Sequence, residues 1–505
     1  MFRSAIHKEI EKNVPANTVF EVRANDDEQH GDYSSNVALI LSKAQKKNPQ
    51  EVAKELTSKL KLSFIEKVEI ADPGFLNFYI KKEELVKNLF KKNSLAKKKT
   101  KVNIEFISAN PTGPLTMANG RGGFYGDVLA NVLTSAGYDV TREYYINDSG
   151  NQVDLLGESI KAAEGKIPDK EEYYKGDYIK DLKGKSAEEA VDILLGQIKK
   201  SLKNAGINFD VWFSENKNLR KTKSIDRTLK FLEGKNAITE KDGAVWFDDI
   251  VLVKSNGEPT YFLADFAYHY DKLVKRKFDI VINIWGADHH GHVSRIQKGI
   301  QAMDINPDQL KFIIMQLVRL ISKGKEVRMG KRSGEFITLD ELLEMVGQDA
   351  ARWFFLERTP NTHMDFDLDL AKEQSKKNPV YYVQYAHARA CSILRRADSK
   401  IQKTRYNLLS TPQELLLIKK LLQLPEVLED IAKDYQVQRL PHYAYELAKT
   451  FTDFYENCQV VYPESDRRNE GNKGLTEARL TLVNAAKKVL AETLGLMGIT
   501  TPEKM

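Results

Sequence analysis

Cysteine is almost absent from this sequence, with two among 505 residues. Cys391 and Cys458 are too few to form a metal cluster by themselves, and they do not indicate the disulfide framework of a small secreted domain. Long apolar runs are lacking as well, since the longest lie near 280–285 and 312–318, well short of a membrane span. The N-terminal residues have helical periodicity without the apolar core of a signal peptide. We therefore expect a cytoplasmic protein that does not bind membranes.

The overall composition is that of a globular protein with several domains. Apolar residues make up 42% and charged residues 29% of the chain, and 505 residues exceed the size of one hydrophobic core. The net charge is +6, with lysine-rich runs at 91–92, 97–101, 199–203 and 272–277. Each run alone is best explained as a solvated surface, whereas together they are compatible with a polyanionic partner.

Periodicity divides the chain into three parts. Residues 1–95 indicate a small α+β domain. Residues 96–375 alternate strands and helices, which is typical of a doubly wound, Rossmann-type parallel sheet. A helical insertion rich in Lys, Glu and Asp occupies about 155–245, and the sheet is expected to resume at 251–253. Residues 376–505 predict an all-helical domain.

One turn between a predicted strand and a predicted helix is chemically informative. The strand covers 102–107, the turn 109–120 is rich in Pro and Gly, and the amphipathic helix runs from about Arg121 to Ala136. Further strands of the sheet are predicted at 139–147 and 278–285. A strand, a tight turn and a helix N-terminus together predict a phosphate site, because free N–H groups and the helix dipole face the ligand.

The residues around this turn resemble those of arginyl-tRNA synthetases. The run from Glu105 to Leu115, EFISANPTGPL, is similar to the signature that precedes the nucleotide motif of that family, and residues 142–152 are similar to the block that follows it. Only the insertion at 160–240 matches poorly. Other blocks similar to the family occur in the family's order at 30–36, 72–77, 243–246, 285–291, 378–389, 440–455 and 496–505.

The resemblance implies both a reaction and an architecture. It implies ATP-dependent ligation of L-arginine to tRNA(Arg) through arginyl-adenylate, with Mg²⁺ accompanying ATP and no structural metal. The implied architecture is a class I Rossmann catalytic domain at 96–375, an N-terminal additional domain that contacts tRNA, and a helical anticodon-binding bundle at 376–505. The family habit is a monomer. Chemistry of this kind requires positioning and charge neutralisation more than a protein nucleophile.

The first ATP motif departs from the pattern of class I synthetases. Where the class has His-x-Gly-His, this chain has Thr116, Met117, Ala118 and Asn119. Thr116 and Asn119 keep neutral hydrogen-bond donors, and each lost charge-assisted contact costs about 1–3 kcal/mol. By resemblance Thr116 and Asn119 are nonetheless assigned to catalysis.

The second ATP motif is represented by Arg328, Met329, Gly330, Lys331 and Arg332. By resemblance Lys331 is the mobile cation that neutralises the leaving pyrophosphate, with Arg328 beside it. Because Lys331 is retained, we interpret the chain as an active enzyme. The nucleotide contacts implied by the resemblance are Pro114, Leu115, Ala118, Gly120, Gly286, Asp288, Val327 and Met329.

Arginine as a substrate requires carboxylates directed at a guanidinium, since a buried unpaired cation is very costly. By resemblance Glu105 and Asn110 bind the guanidinium side and the α-ammonium, and Tyr261 and Asp265 complete the pocket. The i, i+4 spacing of the last two places them on one face if the segment is helical. His289 falls where some relatives place an amide that contacts arginine.

A metal site at Asp288, His289, His290 and His292 is disfavoured, because adjacent histidines rarely point at one ion and the spacing of a zinc helix is missing. The tRNA contacts implied by the resemblance are Asn36 and Phe78 in the N-terminal domain, with Tyr381, Tyr385 and Arg389 in the helical one. Mixed aromatic and basic side chains suit stacking on unpaired bases, although such tyrosines are as often packing residues.

Two alternatives stay open at this point. The altered first motif is also compatible with a tRNA-binding paralogue that lacks catalysis. A class I synthetase of another amino-acid specificity is the second alternative. Pyrophosphate exchange with and without tRNA distinguishes the first from an enzyme, and competition among amino acids distinguishes the second.

Overall fold

A four-stranded antiparallel sheet with helices around it forms the first part of the chain in the computed structural model. The structure describes residues 2–25, 27–89, 97–327, 336–397, 406–462 and 470–505. The elements of the first part are α1 (Phe2–Glu11), β1 (Val22–Ala24), β2 (Tyr33–Ser35), α2 (Val37–Gln45), α3 (Pro49–Thr57), β3 (Ile65–Ala71), β4 (Phe75–Ile80) and α4 (Lys82–Leu89). The strand order is β1-β2-β4-β3.

A five-stranded parallel sheet organises the second part. Its elements are β5 (Lys101–Glu105), α5 (Met117–Ser135), β6 (Asp139–Ile146), α6 (Asn151–Ala163), α7 (Asp177–Lys180), α8 (Ala187–Asn204), β7 (Val211–Ser214), α9 (Ser224–Gly234), β8 (Thr239–Lys241), β9 (Ala244–Phe247), β10 (Ile250–Val253), α10 (Tyr261–Tyr270), β11 (Ile280–Gly286), α11 (Val293–Ala302), β12 (Leu310–Met315), β13 (Val318–Ser322), β14 (Lys325–Val327), α12 (Leu339–Val346), α13 (Gln348–Leu356), β15 (Met364–Asp367) and α14 (Leu368–Lys372). The parallel sheet has the order β12-β11-β5-β6-β7. The order reverses between β5 and β11, and open α/β sheets bind ligands outside the carboxyl ends of such strands.

The last part is helical throughout its described residues. Its helices are α15 (Pro379–Arg396), α16 (Pro412–Leu422), α17 (Leu424–Asp434), α18 (Arg439–Asn457) and α19 (Glu470–Leu496). Shorter 3₁₀ or π segments along the chain are Glu28–His30, Asn216–Arg220, Asp271–Lys275, Ala287–His292, Pro307–Gln309 and Tyr406–Leu408. The predicted combination of a parallel sheet with a helical C-terminal part is therefore confirmed.

Charged contacts connect the first and last parts. Arg3 on α1 donates to Asp430 on α17 at 2.6 Å, and Lys419 on α16 lies 2.9 Å from Asp32. The hydroxyl of Tyr33 donates to Glu426 at 3.0 Å in a buried position. The N-terminal sheet is thereby held against the helical bundle.

One prediction about strands was wrong, and one strand of the parallel sheet was not predicted. The strand near 251–253 does not continue the parallel sheet, because β10 pairs with β9 and β8 in a separate antiparallel sheet. The region 155–245 contains β7 besides its helices, and β7 joins the edge of the parallel sheet beside β6. In both cases a four-residue apolar segment lies in a charged context that hides its strand character.

Two element ends also differ from the prediction. The strand predicted to reach residue 107 ends at Glu105, because Ile107 and Ser108 have positive φ angles of 67° and 41°. α5 begins at Met117 and not near Arg121, since Thr116 adopts the extended conformation of an N-cap residue. No helix in the described part of the chain is both long and apolar enough to cross a membrane.

Candidate active site

The carboxyl ends of β5 and β11 form the base of the candidate site. Glu105 at the end of β5 lies beside Asn283 of β11 in the sheet register. Beyond Glu105 the chain turns out of the sheet through the positive φ angles of Ile107 and Ser108. Such a backbone conformation costs on the order of 1–3 kcal/mol and is typical of functional sites. The turn directs the chain towards the N-terminus of α5.

Thr116 and Asn119 form a hydrogen-bonded unit at the N-terminus of α5. The N–H of Thr116 donates to Oδ1 of Asn119 at 2.9 Å, and the Thr116 hydroxyl donates to the same oxygen at 3.0 Å. Ala118 is exposed in the same turn. A helix begun in this way presents the positive end of its dipole to an anion.

Other predicted nucleotide contacts lie around this turn in different environments. Leu115 is buried, whereas Pro114 is partly exposed. Gly120 is buried, and a Cβ there would approach Leu339 to 3.1 Å and Phe355 to 3.2 Å. The absence of a side chain at Gly120 therefore allows α12 and α13 to pack closely on α5.

The chain that follows the second motif is anchored at the N-terminus of α5. Val327 ends β14, and after the motif the N–H of Met117 donates to the carbonyl of Ile337 at 2.9 Å. The N–H of Leu339 donates to the carbonyl of Leu115 at 2.9 Å. Residues 337–339 therefore lie against the N-terminus of α5. The predicted second-motif residues that lie outside the described part of the chain are Arg328, Met329 and Lys331.

Asp265 is an unpaired carboxylate on α10, four residues after the exposed Tyr261. Within the described residues, no hydrogen-bond donor or cation contacts the Asp265 carboxylate. Burial, together with the negative charges of Glu105 and Glu215, raises the pKa of Asp265 to about 8, which Lys272 partly opposes. An unpaired carboxylate in such surroundings is well suited to receive a cation.

Glu105 differs from Asp265 because both of its carboxylate oxygens are already engaged. Lys272 donates to Oε2 of Glu105 at 2.7 Å, and the hydroxyl of Ser108 donates to Oε1 at 3.1 Å. Lys272 belongs to the π-helical segment after α10 and has no exposed side-chain surface. Asn110 is partly buried in the turn after β5, close to Glu105 in the sequence.

A second buried ion pair lies behind the first. Arg276 donates both terminal nitrogens to Glu143, and the hydroxyl of Tyr268 donates to Glu143 at 2.6 Å. Burial acts to raise the pKa of Glu143, but the hydrogen bonds of Arg276 and the charge of Lys272 hold it below its ordinary value. Glu143 is thus a permanent carboxylate of the protein interior.

His269 and Asn283 complete this buried network. Burial and the nearby Lys272 lower the pKa of His269 to about 3, so its ring is neutral. Its Nδ1 donates to the carbonyl of Asp265 at 2.8 Å, and its Nε2 accepts from the Asn283 amide at 2.7 Å. The amide oxygen of Asn283 accepts from Lys272 at 3.1 Å. Each group has one orientation that satisfies all these bonds.

The loop after β11 brings several imidazoles close to Tyr261 on α10. Nδ1 of His289 lies 3.4 Å from Nδ1 of His292, and the hydroxyl of Tyr261 lies 3.4 Å from Nε2 of His292. Asp288 is 3.6 Å from His289, and a Cβ at Gly286 would overlap the Asp288 carboxylate. Among the described residues, no group of three or more His, Cys, Asp or Glu side chains is arranged to hold a metal ion.

The predicted tRNA contacts of the first part have structural roles. Oδ1 of Asn36 accepts from the N–H of Glu21 at 2.9 Å, just before α2. Phe78 on β4 has no exposed surface and packs in the core of the antiparallel sheet. Phe78 therefore does not offer a contact surface to a ligand in this conformation.

Aromatic and basic side chains do come together on α15. Arg389 donates to the hydroxyl of Tyr385 at 2.5 Å, and its guanidinium lies 5.3 Å from the centre of the Tyr385 ring. A similar contact at 5.1 Å joins Arg389 to Tyr455 of α18. Tyr381 is partly exposed one turn earlier on the same helix.

Arg121 is a buried residue that the sequence interpretation missed. It donates to the carbonyls of Gln316 at 2.7 Å and of Thr359 and Thr362 at 2.8 Å. These bonds fix α5 to the chain beyond β12. Lys272, Arg276, Glu143 and Asn283 were missed as well, and the signal that could have revealed Asn283 is a polar residue inside an apolar strand.

The chain is similar to known proteins over its whole length. The model of the arginyl tRNA synthetase N terminal domain matches residues 1–80, that of the class I (R) tRNA synthetase catalytic domain matches 82–173 and 166–378, and that of the DALR anticodon binding domain matches 383–505.

Individual relatives agree with these matches. An arginine–tRNA ligase of Carboxydothermus hydrogenoformans is 43% identical, covering 96% of this chain and 94% of the relative. The arginine–tRNA ligase of Acetivibrio thermocellus is 42% identical, covering 94% and 92%. The fold is similar to that of Thermus thermophilus arginyl-tRNA synthetase, with a TM-score of 0.82 at 23% identity over the full length of both chains. This chain therefore belongs to the arginyl-tRNA synthetase family of class I aminoacyl-tRNA synthetases.

Proposed function

We propose that this chain is an arginine–tRNA ligase that uses ATP and passes through arginyl-adenylate, and that the residues described above carry out the reaction. The observation that carries the proposal is the Asp265 carboxylate, which has no cation beside it in the described part of the chain and lies near the carboxylates of Glu105 and Glu215. Such a carboxylate suits the guanidinium of one arginine side chain.

The proposed arginine site uses the residues at the ends of β5, α10 and β11. Asp265 pairs with the guanidinium, and Glu105 supplies a second acceptor on the same wall. Tyr261 closes the pocket at its mouth, with His289 beside it. Asn110, in the turn after β5, binds the α-ammonium group.

The proposed ATP site uses the N-terminus of α5 and the neighbouring loops. Asn119 donates to the phosphates, Thr116 holds the Asn119 side chain in place, and Lys331 with Arg328 neutralises the departing pyrophosphate. ATP enters as its Mg²⁺ complex, which supplies further charge neutralisation. The remaining proposed nucleotide contacts are Pro114, Leu115, Ala118, Gly120, Gly286, Asp288, Val327 and Met329.

The two chemical steps need no protein nucleophile. First, a carboxylate oxygen of arginine attacks the α-phosphorus of ATP, the bond to the bridging oxygen breaks, and pyrophosphate leaves with the electron pair. Next, a hydroxyl of the terminal ribose of the tRNA attacks the adenylate carbonyl, and AMP leaves. Positioning and charge neutralisation provide the acceleration.

We propose three domains, with the boundaries 1–95, 96–375 with an insertion at about 155–245, and 376–505. We propose that the tRNA contacts the first and the last of these domains. In the helical domain, Tyr381, Tyr385 and Arg389 form the proposed base-stacking surface. In the first domain Asn36 stays a candidate, while the buried Phe78 does not. The proposed state is a monomer in the cytoplasm.

The test is pyrophosphate exchange with arginine, measured with and without tRNA(Arg), followed by aminoacylation. We expect exchange that requires the tRNA, and charging with arginine in preference to lysine and citrulline. Absence of exchange in the presence of cognate tRNA would overturn the catalytic assignment. Stronger charging with another amino acid would overturn the pocket assignment.

A further inference from the structure

Lys272 is a completely buried ammonium group beneath the proposed arginine pocket. It donates to Glu105 at 2.7 Å and to Asn283 at 3.1 Å, lies 4.0 Å from the centre of the Tyr268 ring, and lies 3.9 Å from Glu143. A buried ammonium is destabilising unless its donors and its charge are matched, as they are here. Every strong contact of Lys272 is therefore internal to the protein.

The charges around the pocket are matched with one exception. Glu105 has Lys272 as its cation, and Glu143 has Arg276. Glu215 is paired in the same way with Arg220 at 2.7 Å. Asp265 alone lacks a cation within the described part of the chain. When Asp265 is ionised, this set of groups is thus one positive charge short of balance.

We infer that Lys272 is a positioning and specificity-determining residue, which holds Glu105 and cancels its charge so that the pocket takes one singly charged cationic side chain through Asp265. The inference rests on the proposed function and assigns Lys272 no direct contact with the reacting atoms. Without Lys272 the pocket would present two uncompensated carboxylates to a substrate that carries one side-chain charge.

Groups from several elements set the ionisation of Asp265. Glu105 on β5 and Glu215 after β7 disfavour its charged form, and Lys272 favours it. Tyr145 on β6 and Tyr261 on α10 also face Asp265. Removing Lys272 therefore makes the Asp265 carboxylate harder to ionise. Arginine binding, which requires that charge, would then need a higher pH.

The decisive variant is Lys272→Met, assayed by aminoacylation with saturating ATP and cognate tRNA between pH 6.5 and 9. The arginine KM is expected to change with pH as Asp265 ionises. We expect the pH at the midpoint of that change to rise by about one unit, since an uncompensated neighbouring carboxylate shifts a pKa by 1–3 units. At pH 7 the KM then increases about tenfold, because one pKa unit changes the ionised fraction tenfold. The kcat at saturating arginine changes much less.

Three further variants separate a charge effect from a packing effect. Lys275→Met removes a half-exposed lysine of the same π-helical segment, which pairs with Asp271 outside the pocket, and keeps the wild-type profile. Lys272→Arg keeps the positive charge, so its pH midpoint is expected to lie close to that of the wild type. The double variant Glu105→Gln/Lys272→Met removes both members of the pair and returns the midpoint towards wild type.

The outcomes distinguish this inference from the proposed function. If wild-type protein does not charge tRNA with arginine, the proposed function fails, whatever the variants do. If wild type is active and Lys272→Met raises the KM equally at every pH, Lys272 has only a packing role and the inference is overturned. Should Lys272→Met fail to fold, a folded double variant supports the pairing with Glu105, and an unfolded double variant contradicts it.

Discussion

The hydroxyl and the backbone N–H of Thr116 both donate to the side-chain oxygen of Asn119, at 3.0 and 2.9 Å. The two residues that replace the histidines of the class I motif therefore act as one unit. The Thr116 donors are used inside the protein, whereas the Asn119 amide N–H groups have no partner among the described residues. Asn119 is accordingly the side chain of this pair that is ready to donate to a phosphate.

Replacing Asn119 with alanine tests this assignment. The variant loses the phosphate donor, and we expect tRNA-dependent pyrophosphate exchange to slow about 10- to 100-fold, as hydrogen bonds to charged groups are worth about 1.5–3 kcal/mol. Asn119→Asp is the matched control, because it keeps the acceptor for Thr116 but repels phosphate. The aspartate variant should be slower than the alanine variant, and the reverse order would contradict the donor role.

Replacing Asn119 with histidine tests whether the present motif supports full activity or represents a partial loss of function. In Asn119→His one ring nitrogen would have to replace an oxygen that accepts two hydrogen bonds from Thr116. We expect slower exchange than in wild type and a lower melting temperature. Faster exchange would indicate that the natural motif is a partial loss of function. Thr116→His provides the complementary measurement.

The arginine affinity of the unmodified protein should depend on pH. Because the pKa of Asp265 is raised to about 8 in the empty pocket, the carboxylate is mostly protonated at pH 7. The arginine KM is therefore expected to fall as the pH rises through this region, until the α-ammonium of arginine itself begins to titrate. Asp265→Asn should raise the KM and abolish this pH dependence. A KM that does not vary between pH 6.5 and 8.5 would contradict the assignment.

The parts of the site that lie on contiguous segments could be predicted from sequence, and the parts formed by distant residues could not. The segment from Glu105 to Asn119 is a strand end, a turn and a helix start that follow one another in the sequence. Its position at the carboxyl end of a parallel strand could therefore be predicted from its pattern. Lys272 meets Glu105 across 167 residues and Arg276 meets Glu143 across 133. Only the order of strands in the sheet brings these pairs together.

Local backbone conformation is the second feature that could not be predicted from the sequence. The positive φ angles at Ile107 and Ser108 end β5 two residues early, and a β-branched residue gives no hint of such a turn. The short β7 was hidden in a lysine-rich stretch for a related reason. Four residues carry too little periodicity to indicate a strand until a neighbouring strand pairs with them.

Arg121 connects the proposed ATP site to the rest of the catalytic domain. Its guanidinium donates to four main-chain carbonyls, including those of Gln316 and Thr359. In Arg121→Met these acceptors lose their donor, and we expect the free energy of unfolding to fall by about 3 kcal/mol or more. Exchange activity should fall as α5 loses its fixed position. Arg121→Lys should recover part of the stability, and an Arg121→Met variant with unchanged stability and rate would refute the role.

Arg352 forms a buried ion pair that can be compared with an exposed ion pair elsewhere in the protein. Its guanidinium is 1% exposed, lies 2.8 Å from Asp127, and donates to the carbonyls of Met497 and Gly206, so it joins α13 to α5, to the end of α8 and to the C-terminal segment. Removing one partner of such a pair leaves an uncompensated buried charge and typically costs about 3–5 kcal/mol.

We therefore expect Arg352→Met to lower the unfolding free energy by about that amount in urea denaturation. The matched control is Arg319→Met, since Arg319 pairs with Asp365 at 2.8 Å on the surface, where solvent screens the interaction. The control should unfold at the same urea concentration as wild type. Equal destabilisation by the two substitutions would show that burial of the pair does not determine its contribution.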